Sequence, residues 1–213
     1  MSDSVPYESH AAAPLHPHIG RAWWFLVAGW LIAVGVCCWL LWDYSAQAGE
    51  GSKPPTDWPT AATVRPFHRG HTLVMLVHPH CPCSFASLTE LASTLRVLEG
   101  RLQALVLFAV PKGVPPQWHQ TELRERAESL AGVVVIDDLG GQLGRVFGAE
   151  TSGSTLLYDV DGQLLFEGGL TPSRAHVGDS VGKRRVISLV RGVSDDPARS
   201  AVYGCELTSR DGP

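Results

Sequence analysis

The chain has 213 residues, 45% apolar and 18% charged, enough for one globular domain and an added segment but crowded for two domains. A formal charge of −4 and a pI near 6.1, with 17 Lys and Arg scattered without a basic stripe, do not fit nucleic-acid binding.

In residues 1–21, an N-terminal tail, His10, His16 and His18 lie in a Pro/Ala-rich stretch without Cys or carboxylate support and read as solvated rather than metal-binding. Residues 22–42, AWWFLVAGWLIAVGVCCWLLW, then contain neither charge nor proline. At 1.5 Å per residue this run extends about 31 Å, enough to cross a hydrocarbon core of about 30 Å. Trp23, Trp24, Trp39 and Trp42 fall near its ends, where indole rings suit the membrane interface. A transmembrane helix is expected, with Cys37 and Cys38 as packing residues.

Ala46-Gln47-Ala48 has the form of a signal-peptide cleavage site. The apolar core, however, exceeds the usual length of about 7 to 15 residues, which favours a retained anchor. Arg21 precedes the span, whereas Lys53 follows it among Asp43, Glu50 and Asp57. That asymmetry favours a cytoplasmic N-terminus.

Residues 43–70 carry Pro54, Pro55, Pro59 and Pro66 without apolar periodicity and read as an extended linker. A globular domain is expected over 71–192. Its first unit is a buried strand over Leu73–Val77 followed by a helix with Leu88, Leu91, Ala92, Leu95 and Leu98 in register, stopped at Gly100. Strands over 104–110 and 133–136 flank a helix over Pro116–Leu130, and a short helix covers about 142–147. Val160-Asp161-Gly162 between apolar runs signals a hairpin. A last helix over about 180–190 turns Val181, Val186, Ile187 and Val190 toward the sheet and Lys183, Arg184 and Arg185 outward. Residues 193–213 read as a patternless tail carrying Cys205. The strand-helix alternation predicts an α/β fold with a mainly parallel sheet.

The chemistry concentrates in HPHCPC, residues 78–83, where the first strand gives way to the first helix of the domain. Cys81 there receives the unpaired N–H groups and positive dipole end of the helix, which favour the thiolate. His78 and His80, as imidazolium, would add to that field; as neutral loop residues they would only face water. Cys81, Cys83 and Cys205 outside the span allow one internal disulfide with three possible pairings, Cys83 being the first choice of partner for Cys81 and Cys205 the second. Metal binding is the rival chemistry. Cys81 and Cys83 with His80, His176 or Cys205 would suit Cu(I), which prefers thiolate. A stable bridge in a non-catalytic scaffold is the third reading.

The element order, the cysteine motif opening a helix, and the run DDLGGQLGRVFGAETSGSTLLYDVDGQLLFEGG over 137–169 resemble membrane-anchored thioredoxin-like proteins across about residues 71–191. HPHCPCSFASLTEL, SRAHVGDS and VYGCEL further resemble the RedB-like group. The resemblance implies a thioredoxin-like fold, a central mixed β-sheet flanked by helices, on the periplasmic or extracytoplasmic side of a bacterial cytoplasmic membrane. It implies a thiol-disulfide oxidoreductase whose partners are protein thiols and disulfides and a membrane electron donor, with Cys81 as nucleophile and no cofactor required. Copper-delivery members of the superfamily imply the alternative, with two nearby cysteines and a distal histidine such as His176.

This sequence departs from the superfamily pattern at three places. Ser84 stands where the resolving cysteine is usual, and Cys83 comes one residue early. Gly153 stands at the usual cis-proline position; because a non-proline cis bond costs about 3 kcal/mol, a trans Ser152–Gly153 bond is expected. Cys205 has no counterpart in the pattern.

Overall fold

The computed structural model describes residues 20–49, 52–68, 70–194 and 196–207. The histidine-containing leader over 1–19 and the acidic Glu50 lie outside the described residues. The chain divides into two compact units, residues 1–43 and 44–213.

The first unit is built on α1, Arg21–Ala46. Its apolar side chains are exposed: Trp23, Trp24, Phe25, Leu26, Trp39 and Trp42 all lie at the surface, and among the described residues none of the stretch that is long and apolar enough to cross a membrane is buried. Each square ångström of such surface costs about 25 cal/mol in water, so this helix fits a single-pass membrane anchor.

The second unit contains a six-stranded mixed sheet in the order β3-β2-β1-β4-β5-β6. The strands are β1 His71–Val77, β2 Leu102–Val110, β3 Val133–Leu139, β4 Thr155–Tyr158, β5 Leu164–Gly168 and β6 Ala198–Arg199. β1, β2 and β3 run parallel, β4 is antiparallel to β1 and β5, and β6 is parallel to β5. The helices are α2 Pro82–Leu98, α3 Glu122–Glu128, α4 Gln142–Val146 and α5 Val181–Val190.

Alternation along the central strands makes two cores. Leu73, Met75 and Val77 of β1 face Leu88, Leu91 and Leu95 of α2 and Val186 and Leu189 of α5. Val74 and Leu76 face Leu143, Phe147, Leu156 and Tyr158 on the other side. β1 is therefore buried on both faces, and its end, which leads to HPHCPC, is held by the most enclosed part of the sheet.

Several expectations need correction. Pro116–Leu130 is not one helix but a 3-10 turn, Pro116–His119, followed by α3. Gln120 leaves the helical region and the Thr121 hydroxyl accepts from the Arg124 N–H, so the capping side chain restarts the helix. In α5, Val181 is exposed, and Lys183 points inward to the buried Glu90, with Nζ to Oε2 2.7 Å. Ser180 caps the helix, which leaves Val181 in the first turn away from the sheet.

The segments expected as linker and tail contribute to the second unit. Trp58 packs edge-on against Phe147 and Tyr158, Ala62 is buried, and Asp57 bridges Gln163. On the far side, β6 extends the sheet, and Val202 and Leu207 are buried beyond it.

Candidate functional site

Cys81 is the N-cap of α2, with extended backbone angles, and Pro82 occupies the first turn. Proline suits that position because its missing N–H would have no helical partner. A tight turn precedes it: the Cys81 N–H donates to the His78 carbonyl at 3.1 Å, and the Ser84 N–H donates to the Cys81 carbonyl at 3.0 Å. The first core turn of α2 then carries Cys83 inward beside Cys81, and both are buried.

Cys205 arrives from the other end of the unit. Residues 204–207 lie antiparallel to residues 150–152: the Ser152 N–H donates to the Cys205 carbonyl at 2.7 Å, and the Leu207 N–H donates to the Glu150 carbonyl at 2.8 Å. Gly204 is required there, because a Cβ on it would meet the Ser152 carbonyl oxygen at 1.9 Å. An Arg174 guanidinium N–H holds the Gly204 carbonyl at 2.6 Å. The result places Cys205 Sγ 2.7 Å from Cys81 Sγ, and the sulfurs of Cys81, Cys83 and Cys205 all lie within 4.8 Å of one another. All three are free thiols.

Their protons are unequally held. Burial on its own would push the Cys81 thiol up, but hydrogen bonds from the Cys205 thiol and from the backbone N–H groups of Cys205, Cys83 and Ser84 outweigh it and draw Cys81 below the ordinary thiol value. Burial and the charge of Cys81 push Cys83 up. Burial, followed by its hydrogen bond to Cys81 and the neighbouring thiolate charges, pushes Cys205 up to about 12. Cys81 is thus the group that ionises first, with the Cys205 S–H donating to it.

Of the two loop histidines, His78 is held away from the cationic form considered from sequence. Burial, and then the charge of His80, lower the pKa of His78, which favours its neutral ring. His78 Nδ1 accepts from the His80 N–H, while His80 Nε2 pairs with the Trp118 carbonyl at 2.9 Å. The rings of both pack against Trp118. His176 is exposed, with Nδ1 2.6 Å from the Arg174 carbonyl. Neither His80 nor His176 joins the cysteine cluster among the described residues.

At the usual resolving position, the Ser84 hydroxyl donates to the His78 carbonyl at 3.0 Å and lies 2.7 Å from the Ser152 hydroxyl, which in turn accepts from the His78 N–H. Ser84 and Ser152 therefore tie the cysteine turn to the 151–154 loop. The Ser152–Gly153 bond is trans, and Gly153 takes a φ of 89° while donating to the Leu76 carbonyl at 2.7 Å. Sequence reasoning missed Ser152, Arg174 and Gly204 as builders of the site; only Gly204, within VYGCEL beside a cysteine, carried any local signal.

The strand order and directions, with a cysteine capping the helix after the central strand, are those of a thioredoxin-like fold. No protein-family model matches the sequence, and no curated protein matches it at a significant level. Among solved structures, a hypothetical protein of Sinorhizobium meliloti is 17% identical with a TM-score of 0.57, covering 79% of this chain and 99% of its own. An uncharacterized conserved protein of Geobacillus kaustophilus is 16% identical with a TM-score of 0.54, over 78% and 94%. An exposed lipoprotein thioredoxin of Streptococcus pneumoniae is 14% identical with a TM-score of 0.40, over 59% and 87%. The first two likenesses establish a shared fold.

Proposed function

We propose that this protein is a membrane-anchored thiol-disulfide oxidoreductase in which Cys81 is the nucleophile and Cys205 its resolving partner. The observation that carries the reading is the 2.7 Å approach of the Cys81 and Cys205 sulfurs, within reach of the S–S bond of about 2.05 Å that closes a disulfide. The unequal proton affinities support the same roles: the attacking sulfur is the one whose thiolate is stabilised.

In the reducing direction, the Cys81 thiolate attacks one sulfur of a substrate disulfide. That disulfide bond breaks, the sulfur not attacked leaves first as thiolate, and Cys81 is joined to the attacked sulfur in a mixed disulfide. The Cys205 proton passes to the departing thiolate, and Cys205 then attacks Cys81 Sγ. The second substrate sulfur is released as a thiolate that takes its proton from water, and a Cys81–Cys205 disulfide holds the two electrons' worth of oxidation. Run backwards, the same steps oxidise a substrate dithiol. A second dithiol or disulfide partner restores the starting state, and a membrane electron donor is the class of partner suited to an anchored enzyme. Anchoring by α1 with a cytoplasmic N-terminus would set the domain in the oxidising extracytoplasmic space, where disulfides persist.

Cu(I) handling is the second reading, favoured by the three-sulfur cluster, which suits a soft cation. Metal–sulfur bonds of about 2.3 Å in a trigonal site would hold the sulfurs about 4 Å apart. The Cys81–Cys205 pair stands closer than that, so the arrangement fits sulfur–sulfur bonding better than a shared ion.

The deciding experiment uses the full chain in detergent. Its disulfides are mapped by peptide mass spectrometry after oxidation, and the reduced protein is titrated with Cu(I). A reducible Cys81–Cys205 bridge without tight copper supports exchange. One tightly bound Cu(I), lost on Cys81→Ser or Cys205→Ser, would replace this reading with the second.

A further inference from the structure

The segment that delivers Cys205 does so in an unusual manner for a side-chain donor. It lies down as a strand. Residues 204–207 pair antiparallel with residues 150–152 through the Ser152 N–H and the Glu150 carbonyl, at 2.7 and 2.8 Å, with Thr151 opposite Glu206. Together with the sulfur set on Cys81, these are the contacts an extended polypeptide would make if it docked by its main chain and presented a cysteine for exchange. Glu206 between the two hydrogen-bonded residues is exposed, whereas Leu207 is buried against the second core. Apart from those contacts, the segment's end is held by the Arg174 guanidinium on the Gly204 carbonyl. Residues 198–202, in contrast, are fixed as β6 and through the Ser200 and Ala201 contacts with Glu167 and Gly169.

We infer that residues 203–207 are an internal stand-in for a substrate strand: partner polypeptides dock on the Glu150–Ser152 edge in their place, and the Cys81–Cys205 bridge locks that edge shut. The inference rests on the exchange reading and adds to it a rule of access set by this chain's own C-terminal segment. When the bridge is intact the strap is tethered covalently and the edge is filled. When it is reduced, the strap is held among the described residues by non-covalent contacts alone, the main-chain pairing to 150–152, the Arg174 guanidinium, Leu207 and the hydrogen bonds of Cys205 to Cys81, and it opens and closes. An incoming strand then recovers the same hydrogen bonds, so displacement exchanges like for like. A small disulfide has no main chain to offer and gains nothing from the edge.

Two measurements on the full chain in detergent test this. In the unsubstituted protein, amide hydrogen exchange at Ser152 and Leu207 is compared with the bridge formed and reduced. Reduction is expected to speed exchange at both amides by about a hundredfold, and a short extended peptide bearing a blocked cysteine is expected to restore protection at Ser152. Unchanged protection on reduction overturns the strap. The second measurement follows release of thionitrobenzoate as Cys81 attacks its mixed disulfide with either the same peptide carrying an unblocked cysteine or free cysteine, in a Cys83→Ser/Cys205→Ser background. Adding Leu207→Asp, which weakens the strap, should speed the peptide reaction about tenfold and the free-cysteine reaction less than about threefold. Equal acceleration, or none, overturns strand mimicry. If Cys81 releases thionitrobenzoate from neither compound in any variant, the exchange reading itself fails, while hydrogen exchange still judges the strap.

Discussion

Cys81 and Cys205 meet at one point but are brought there by opposite means. Cys81 stands at the junction of β1 and α2, where the strand is buried on both faces and the helix start, the proline and the turn to His78 are all local in sequence. Cys205 stands on a segment with little local structure, placed by backbone pairing to residues 150–152 and by Arg174. In the proposed exchange, such a division would let the attacking sulfur keep its geometry while its partner comes and goes.

The comparison breaks most completely at the rigid side. Cys81→Ser should lower disulfide exchange by at least about a thousandfold, measured as turnover of a protein disulfide. On the same side, Glu90 is buried and pairs with Lys183 Nζ at 2.7 Å while accepting from the Gly178 N–H, joining α2 to α5 and to the loop before it. Glu90→Leu should cost about 3 kcal/mol, because it strands a half-buried ammonium, and thermal unfolding will show it. Gly204→Val attacks the detachable side. The clash with the Ser152 carbonyl should cost about 2 kcal/mol or expel the segment, and peptide mapping should then find the Cys81–Cys205 bridge depleted.

Smaller effects sharpen the contrast. Cys205→Ala removes the side-chain donor to the Cys81 thiolate, so the inflection in Cys81 alkylation against pH should move upward. In the reduced protein, Cys205 is pushed up to about 12 from an ordinary 9.0. A thiol raised on folding stabilises the fold below its unfolded pKa, and that contribution is lost as pH rises from about 9 toward 12. Denaturation of the reduced protein should show that alkaline decline, and Cys205→Ser should flatten it. Ser84→Ala deletes the hydroxyl link to Ser152 and should cost about 1 kcal/mol with Cys81 reactivity little changed.

What was legible follows the same division. The continuous apolar runs of β1 and β2, the leucine spacing of α2, the Asp-Gly hairpin and the apolar α1 each carry their structure in adjacent residues. Cys81 as helix cap and the trans bond before Gly153 were likewise readable from local chemistry. The break at Thr121 was not, because a capping threonine inside a polar helical pattern looks like one more surface residue. Lys183 read as outward because its partner Glu90 lies 93 positions earlier. The approach of Cys205 to Cys81 depends on a two-residue β6, a glycine's fit against Ser152 and one arginine, none of which has periodicity.

The 124 positions between Cys81 and Cys205 also set an order of events. A chain made from its N-terminus offers Cys81 and Cys83 to its surroundings long before Cys205 exists. Closing so long a loop by chance is entropically costly, so the pair meets only after the sheet has drawn the segment to the 150–152 edge. On the exchange reading proposed above, a Cys81–Cys205 bridge would therefore be a certificate of completed folding: a chain without its last strand would carry Cys81 but have no long-range partner for it.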